Sequence, residues 1–268
     1  MRSFEYESVA FESHGHVALA TLNRPEKLNA LDATLRSNLL DLADDFRQND
    51  ELRVLVLTGA GRGFCSGADL SGDAFANDQH TQTERLDEFE GAGRRAITLA
   101  EVDKPVIGAI NGVCAGAGMS LALSCDLRVG SAQARFGTLF VDRNLSPDSG
   151  LSYFLPRVVG YSRALDLLLT GRFVDADEAY RIGLLDRLLL EGEDLVEAAL
   201  ALAQVIASKP PLAVRSSKRV VQHNVDADLR ESLRYETFGL LFAKRAIRDS
   251  EEAIASFREK RPPNYSGE

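Results

Sequence analysis

The spacing of apolar and polar positions predicts an α/β protein. Strand-length runs with little or no charge occur at residues 17–22, 52–57 and 105–110. Continuous runs of this kind are typical of parallel strands that are covered on both faces. Helical spacing follows Asp32, a residue type that caps helices, at the apolar positions Leu35, Leu39, Leu42 and Phe46.

Further helices and short strands are predicted along the rest of the chain. Helices are expected at 87–102, 151–158 and 163–170, with short strand pieces at 127–130, 135–136 and 140–141. From residue 193 onward the pattern is helical, interrupted at residues 210–211 and 226–228. We therefore predict a core of residues 1–203 and a C-terminal helical region of residues 204–268.

The stretch 109–126 carries the first candidate for chemistry. It predicts a strand, a turn at Asn111-Gly112, a loop of small residues and a helix. The first amides of a helix have no intrahelical partner and lie at the positive end of its dipole. Small side chains at Gly116 and Ala117 would let a substrate oxygen approach these amides, so we interpret the stretch as half of an oxyanion hole.

Three other interpretations of this stretch stay open. Residues 105–125 carry no charge, but their glycines and Asn111 suit a membrane span poorly. The glycine spacing also departs from the G-x-G-x-x-G pattern of dinucleotide-binding loops. Close packing of a helix on a sheet explains small residues equally well.

A second copy of the pattern favours the oxyanion hole. Residues 58–70, TGAGRGFCSGADL, again predict a strand end, a glycine-rich turn, small residues and a helix start. Two adjacent strand–loop units can provide the two converging donors that an oxyanion needs. The polar residues 72–85 that follow predict a mobile loop over this site.

Composition narrows the class of protein. The 268 residues carry a net charge of −9, which argues against a protein that tracks nucleic-acid phosphates. Cys65, Cys114 and Cys125 lie among apolar or small residues and are expected to be reduced core thiols of a cytoplasmic protein. The N-terminal residues resemble neither a secretory nor a transit peptide.

Five short motifs together resemble the crotonase superfamily of enoyl-CoA hydratases and isomerases. They are LNRP at 22–25, GFCSGADL at 63–70, AING at 109–112, LTG at 169–171 and KRP at 260–262. The resemblance covers nearly the whole chain. It implies a spiral of ββα turns, a C-terminal helical trimerisation region, and acyl-CoA thioester substrates. A homotrimer or a dimer of trimers is expected, with no nucleic-acid, membrane or metal partner and no cofactor beyond the substrate's CoA.

The resemblance also implies site residues. The backbone amides of Ala68 and Ala117 match the family's oxyanion hole. Phe257 and Lys260 match residues that reach the nucleotide bound to a neighbouring subunit. The expected substrate and CoA contacts are Lys27, Leu28, Ala30, Ser66, Ala68, Asp69, Leu70, Gly116, Ala117 and Phe140.

The same resemblance implies different catalytic residues for hydration and for isomerisation. Hydratases of this family use two glutamates, and the matching positions here are Ser120 and Phe140. Asp148 matches the catalytic aspartate of the ring-opening and double-bond isomerases of phenylacetate breakdown, which this chain most resembles in pattern. Its expected setting is an apolar pocket, where desolvation would raise its pKa while the following helix terminus would lower it. A helix cap is the alternative role for Asp148, and Glu88 and Glu90 are reserve candidates.

We therefore expect an enoyl-CoA isomerase that uses Asp148 as its acid and base. An enoyl-CoA hydratase and an inactive acyl-CoA-binding homologue are the alternatives.

Overall fold

Two sheets form the framework of the computed structural model, which describes residues 4–71, 86 and 89–268, with the backbone alone for Glu90. The larger sheet has the order β1-β2-β3-β5-β7-β10 and the smaller the order β4-β6-β8-β9. The strands are β1 (Val9–His14), β2 (Val17–Leu22), β3 (Val54–Gly59), β4 (Gly63–Cys65), β5 (Val106–Ile110), β6 (Val113–Ala115), β7 (Leu127–Gly130), β8 (Arg135–Gly137), β9 (Phe173–Val174) and β10 (Arg187–Leu188).

Successive segments of the chain repeat one unit. A strand of the large sheet is followed by a short strand of the small sheet, as in β3–β4, β5–β6 and β7–β8. Equivalent strands of successive units pair in parallel, and a helix follows the short strand. This repetition is the spiral of ββα turns, and it brings the ends of β4 and β6 side by side.

Helices cover both sheets. α1 is capped as expected, because the carboxylate of Asp32 accepts a hydrogen bond from the Leu35 amide at 2.8 Å. The helices are α1 (Ala33–Gln48), α2 (Glu90–Ala100), α3 (Ala117–Ser124), α4 (Leu151–Val159), α5 (Tyr161–Thr170), α6 (Ala176–Ile182), α7 (Leu195–Ala207), α8 (Pro211–Asn224), α9 (Leu229–Ala243) and α10 (Ile247–Glu259).

The buried residues form two clusters on opposite faces of the large sheet. The larger includes Leu35, Leu39 and Phe46 of α1, and burying each such side chain contributes about 1.5–3 kcal/mol. The smaller lies beneath α7 and includes Leu195 and Ala207. α7 packs on the sheet from Leu195 to Ala207. The predicted domain boundary at 203/204 therefore falls inside this helix.

Two local predictions were wrong. Residues 140–141 form no strand, because Leu139 has a left-handed backbone (φ +55°) and the chain enters a 3-10 turn at Val141–Arg143. No helix begins within residues 68–71 either, because Ala68 forms a parallel bridge with Leu31 that keeps this segment extended. The predicted loop 72–85 and Glu88 lie outside the described residues, as does the side chain of Glu90.

The three cysteines are buried free thiols, as expected. Burial raises the pKa of Cys65 and of Cys125 to about 12 and raises that of Cys114 well above its ordinary value. In the described part of the chain no single helix has the length and hydropathy to cross a bilayer. The pair α7 and α8 passes the same test together, but it is bent by 103°.

Candidate active site

Two glycine–alanine pairs shape the candidate site. Gly67 (φ +95°) precedes Ala68, and Gly116 (φ +52°) precedes Ala117. A residue with a Cβ is strained at positive φ, whereas glycine adopts it freely. Both loops therefore turn sharply at the residue before the candidate donor.

The local hydrogen bonds leave both alanine amides without a partner. Leu31 N donates to Gly67 O at 2.7 Å and Asp69 N donates to Leu31 O at 3.2 Å, so the Ala68 amide points away from Leu31. Ala117 is the first residue of α3, where amides have no intrahelical acceptor. Among the described residues, neither amide donates a hydrogen bond.

The two amides lie close together because the loops pack backbone against backbone. A Cβ on Gly67 would lie 2.8 Å from Ala115 O and 3.4 Å from Ala117 N. A Cβ on Gly118 would lie 2.1 Å from Cys65 O, so α3 also begins in direct contact with β4. This arrangement can hold one oxyanion between two backbone donors.

A small cavity of about 30 Å³ is lined in part by Ala117. It lies between α1, α2 and α3, and most of its wall is apolar. Its lining residues are Leu31, Leu39, Ala92, Arg95, Ala96, Leu99, Ala117, Ser120, Leu121, Ser124 and Ser149.

The two positions of the expected hydratase glutamates have different settings. Ser120 is buried, lines the cavity, and donates its hydroxyl to Asp148 O at 3.4 Å. Phe140 is buried in the larger core cluster and is absent from the cavity lining. Neither position places a carboxylate beside the two amides.

Asp148 adjoins this site but does not have the setting expected from the sequence. Its side chain is exposed and accepts a hydrogen bond from Ser149 Oγ at 2.9 Å. The apolar pocket expected around it is absent from the described residues, since neighbouring Leu145 is itself 42% exposed. Nor is Asp148 the helix cap, because the N-cap of α4 is Gly150, without a side-chain capping bond.

Arg95 is a cavity residue that the sequence did not identify. It extends from α2, is partly buried, and lines the cavity together with Ala117 and Ser120. Burial and the nearby charge of Arg36 lower the pKa of Arg95 to about 10, and the charge of Asp148 opposes this effect. In the sequence Arg94-Arg95 resembles a solvated helix face, and no local signal marks its inward turn.

The expected CoA-contacting residues lie on two segments that hydrogen bonds tie together. Ser66 N donates to Leu28 O at 3.0 Å, and Ser66 Oγ donates to Lys27 O at 3.2 Å. Lys27 Nζ donates to Ser71 Oγ at 3.2 Å. The structure thus brings the first segment, with Lys27, Leu28 and Ala30, against the second, with Ser66, Ala68, Asp69 and Leu70.

Two further side chains hold these segments. Asn29 is buried and donates to Ala60 O at 3.0 Å and to Gly63 O at 2.8 Å. Arg24 donates to Asp69 at 2.9 Å. The hydrogen bonds from Ser71, together with that from Arg24, keep the pKa of Asp69 well below its ordinary value.

The two C-terminal candidates lie at the end of the last helix. Phe257 is 84% exposed, and Lys260 follows α10 with a left-handed backbone (φ +55°). Both side chains are therefore accessible on the surface of the single chain.

Comparisons with known proteins agree with this architecture. The model of a family described as enoyl-CoA hydratase/isomerase matches residues 12–268. A crotonyl-CoA hydratase of Syntrophomonas wolfei is 34% identical over 264 residues, covering 97% of this chain and 98% of the relative. A short-chain-enoyl-CoA hydratase of Clostridium acetobutylicum is 34% identical over 266 residues, covering 96% and 97%.

A solved structure shares the fold over nearly its full length. The crystal structure of an enoyl-CoA hydratase from Bacillus anthracis superposes with a TM-score of 0.89 at 31% identity, covering 98% of this chain and 100% of that one.

Proposed function

The chain belongs to the enoyl-CoA hydratase/isomerase family, and on that premise we propose that it isomerises the double bond of an enoyl-CoA thioester. One observation carries the proposal. The backbone carbonyl of Asp148 accepts a hydrogen bond from Ser120 on the helix that begins at Ala117, and Asp148 carries a carboxylate, whereas Ser120 and Phe140 carry none. A double-bond shift needs one group that takes a proton and returns it, whereas hydration in this family ordinarily uses two carboxylates.

The proposed reaction conserves protons. The Asp148 carboxylate takes a proton from the carbon next to the thioester carbonyl of a 3-enoyl-CoA. The electron pair moves onto the thioester oxygen, and the amides of Ala68 and Ala117 stabilise the resulting enolate. Protonated Asp148 then returns the proton two carbons further along the chain, which gives the 2-enoyl-CoA.

Local contacts support this assignment of roles. The hydroxyl of Ser120 connects the backbone of Asp148 to α3, whose first amide is that of Ala117. The carboxylate does not cap the helix that follows, and from the described part of the chain it accepts a hydrogen bond from Ser149 Oγ. A base held by its backbone but with an accessible carboxylate can serve two carbons of one acyl chain.

The CoA part of the substrate would lie along the two connected segments at 27–31 and 66–71. Lys27 offers a cation there, and its Nζ is held by Ser71. We propose that CoA enters and leaves as part of the substrate, with no other cofactor and no metal.

Hydration of a 2-enoyl-CoA is the second candidate, because relatives at 34% identity are named hydratases. The cavity beside Ser120 has room for about two water molecules. In that reaction Asp148 and the Ser120 hydroxyl would hold the water. An acyl-CoA-binding homologue without activity is the remaining alternative.

A substrate panel tests these alternatives. Purified protein is incubated with a 2-enoyl-CoA, a 3-enoyl-CoA and an aromatic-derived acyl-CoA, and the products are identified by mass spectrometry. Conversion of the 3-enoyl-CoA to the 2-enoyl-CoA supports our proposal, and turnover of the aromatic-derived thioester would extend it to the phenylacetate branch. Conversion of the 2-enoyl-CoA to a 3-hydroxyacyl-CoA alone would contradict it.

Deuterium exchange separates an enzyme from a binding protein. In D₂O an isomerase introduces deuterium next to the carbonyl of a saturated acyl-CoA, because enolate formation does not require a double bond. Binding without exchange and without turnover of any thioester would leave the inactive homologue as the explanation.

A further inference from the structure

Arg95 is a charged residue in the otherwise largely apolar cavity beside Ala117. It lines the same cavity as Ala117, whose amide would bind the thioester oxygen, and as Ser120. A Cβ on Gly91 would lie 3.3 Å from Arg95 Nη1, so the glycine leaves room for the guanidinium along α2. Among the described residues, Arg95 forms no hydrogen bond and no ion pair.

A second arginine, Arg36, lies outside the cavity lining but close enough for its charge to act on Arg95. Arg36 extends from α1, which packs against α2, and its Nε is buried without a hydrogen-bond partner. The charge of Arg36 also lowers the pKa of Arg95. With a pKa of about 10, Arg95 remains protonated at neutral pH.

Two partly desolvated cations that have no neutralising partner among the described residues lower the stability of a fold. Asp148 is the acid whose charge acts on Arg95, but its carboxylate is exposed and makes no ion pair with it within the described ranges. A carboxylate inside the cavity would be held by the planar guanidinium through two parallel hydrogen bonds.

The rest of the cavity restricts what such a ligand looks like. Leu31, Leu39 and Leu99 line its wall, so the segment between the thioester and the arginine must be aliphatic. The volume of about 30 Å³ corresponds to about two water molecules, so only the end of a short acyl group enters the cavity. A short acyl chain with a polar end fits this description.

We propose that Arg95 binds a carboxylate at the far end of the acyl group, with the nearby charge of Arg36 adding attraction, so that the preferred substrates are CoA thioesters of short dicarboxylic acids. This inference rests on the proposed acyl-CoA function. Arg95 is then a specificity-determining residue and not the base.

A pair of ligands that differ by this one group tests the inference by binding. Dissociation constants of pentanoyl-CoA and pentanedioyl-CoA are measured by calorimetry on the full chain. We expect the dicarboxylic thioester to bind about 10- to 100-fold more tightly, the scale of hydrogen bonds to a charged group. Equal affinity of the two ligands for the wild type would overturn the proposal.

Variants assign the preference to Arg95. Arg95→Gln should lose the preference, with the affinity for pentanoyl-CoA changing less than about threefold. Arg95→Lys should keep part of the preference, because it retains the charge and loses the planar geometry. Arg94→Gln is the matched control: Arg94 is exposed, lies against the Phe89 ring and is not among the residues lining the cavity.

A simpler role for Arg95, which is to support Asp148, predicts no difference between the two ligands in the loss caused by Arg95→Gln. If Arg95→Gln weakened both ligands equally, the carboxylate subsite would be wrong. If Arg95→Gln failed to fold by circular dichroism, the preference of the wild type and of Arg95→Lys would still decide. Because the readout is affinity for saturated thioesters, it is independent of whether the protein isomerises or hydrates them.

Discussion

The carboxylate of Asp148 does not cap the helix that follows it. Gly150 occupies the N-cap of α4, and the Asp148 side chain accepts its hydrogen bond from Ser149 instead. The aspartate is therefore not needed to start the helix, and its exposed carboxylate is available to a substrate.

Asp148→Asn tests whether this carboxylate moves protons. The amide cannot accept a proton at neutral pH, so 3-enoyl-CoA turnover should fall by about 10²–10⁴. Stability should change by less than about 0.5 kcal/mol, because no capping bond is lost. Asp177→Asn, an exposed aspartate on α6, is the matched control. If Asp148→Asn kept more than about a tenth of wild-type turnover, the base would have to be sought at Glu88 or Glu90.

The Ala117 amide can be removed with little damage to the fold. Ala117 is the first residue of α3, a position that tolerates proline because its amide has no helical partner. Ala117→Pro should reduce kcat by about 10²–10³, the usual effect of losing one oxyanion donor.

Ala33→Pro controls for the substitution itself, since Ala33 is the exposed first residue of α1. Both variants should melt cooperatively by circular dichroism. A folded Ala117→Pro protein with full activity would place the oxyanion hole elsewhere.

At the residue scale, backbone features were easier to predict than side-chain settings. The loops that contain Gly67 and Gly116 could be identified because glycine-rich turns followed by small residues are recognisable in the sequence. The setting of Asp148 depends on where the loop before α4 runs. The setting of Arg95 depends on how α2 packs on α1. Both settings depend on tertiary structure, which the local sequence does not specify.

At the element scale, the helical spacing of apolar residues predicted most helices, and the strand-length apolar runs predicted the parallel strands. Segments 17–22 and 105–110 became central strands because continuous apolar runs suit a sheet covered on both faces. Residues 140–141 look equally apolar, but the left-handed Leu139 ends the pairing before them. A short apolar run therefore does not predict a strand without its tertiary neighbours.

The C-terminal end of α1 depends on one buried lysine. Lys104 Nζ donates to Phe46 O at 2.8 Å and to Asn49 O at 2.7 Å, and so satisfies carbonyls that the helix end leaves open. Burial, followed by the charge of Arg215, lowers the pKa of Lys104 to about 8.

This pKa predicts a pH dependence of stability. Between about pH 8 and 10.5 the unfolded lysine holds a proton that the folded one has lost, so the free energy of unfolding should rise with pH. The contribution is at most about 3 kcal/mol. In Lys104→Met the free energy of unfolding should not rise for this reason. The difference in unfolding free energy between the wild type and Lys104→Met should therefore increase between about pH 8 and 10.5.

Urea unfolding at a series of pH values measures that gap, with Lys209→Met as the exposed control. Groups that titrate equally in both proteins, such as the buried thiols, cancel in the difference. A gap that stays constant with pH would show that Lys104 keeps its ordinary pKa in the fold.

At the scale of the whole molecule, the C-terminal helices expose a large apolar surface. Residues Leu229, Leu233 and Leu241 of α9 are 73%, 52% and 57% exposed. Patches of this kind mark interaction sites on soluble proteins. We predict that copies of the chain cover it in a homotrimer or a dimer of trimers.

Light scattering at micromolar concentration measures the assembly, and the mass should be three or six times that of the chain. Leu241→Lys should shift the protein toward smaller species, because a charge replaces an apolar contact. A wild-type monomer would contradict the prediction.

We predict that Phe257 and Lys260 complete a nucleotide-binding site on a neighbouring subunit. The chain end is fixed to the core, because Asp249 accepts hydrogen bonds from Ser266 N at 2.8 Å and Gly267 N at 3.0 Å, and Arg53 donates to Tyr265 O at 2.7 Å. Deleting residues 250–268 would therefore disturb folding as well as binding, and point variants are the sharper test.

Phe257→Ala and Lys260→Asn remove the two exposed side chains expected to reach a neighbour's nucleotide. Asparagine tolerates the left-handed backbone of residue 260, so both proteins should keep wild-type melting temperatures. Each should weaken the affinity for free coenzyme A by about 3- to 10-fold, the value of one partly exposed contact. Arg258→Ala, on the same exposed turn, is the control. Unchanged affinity in variants that still assemble would mean that each subunit binds the nucleotide with its own residues alone.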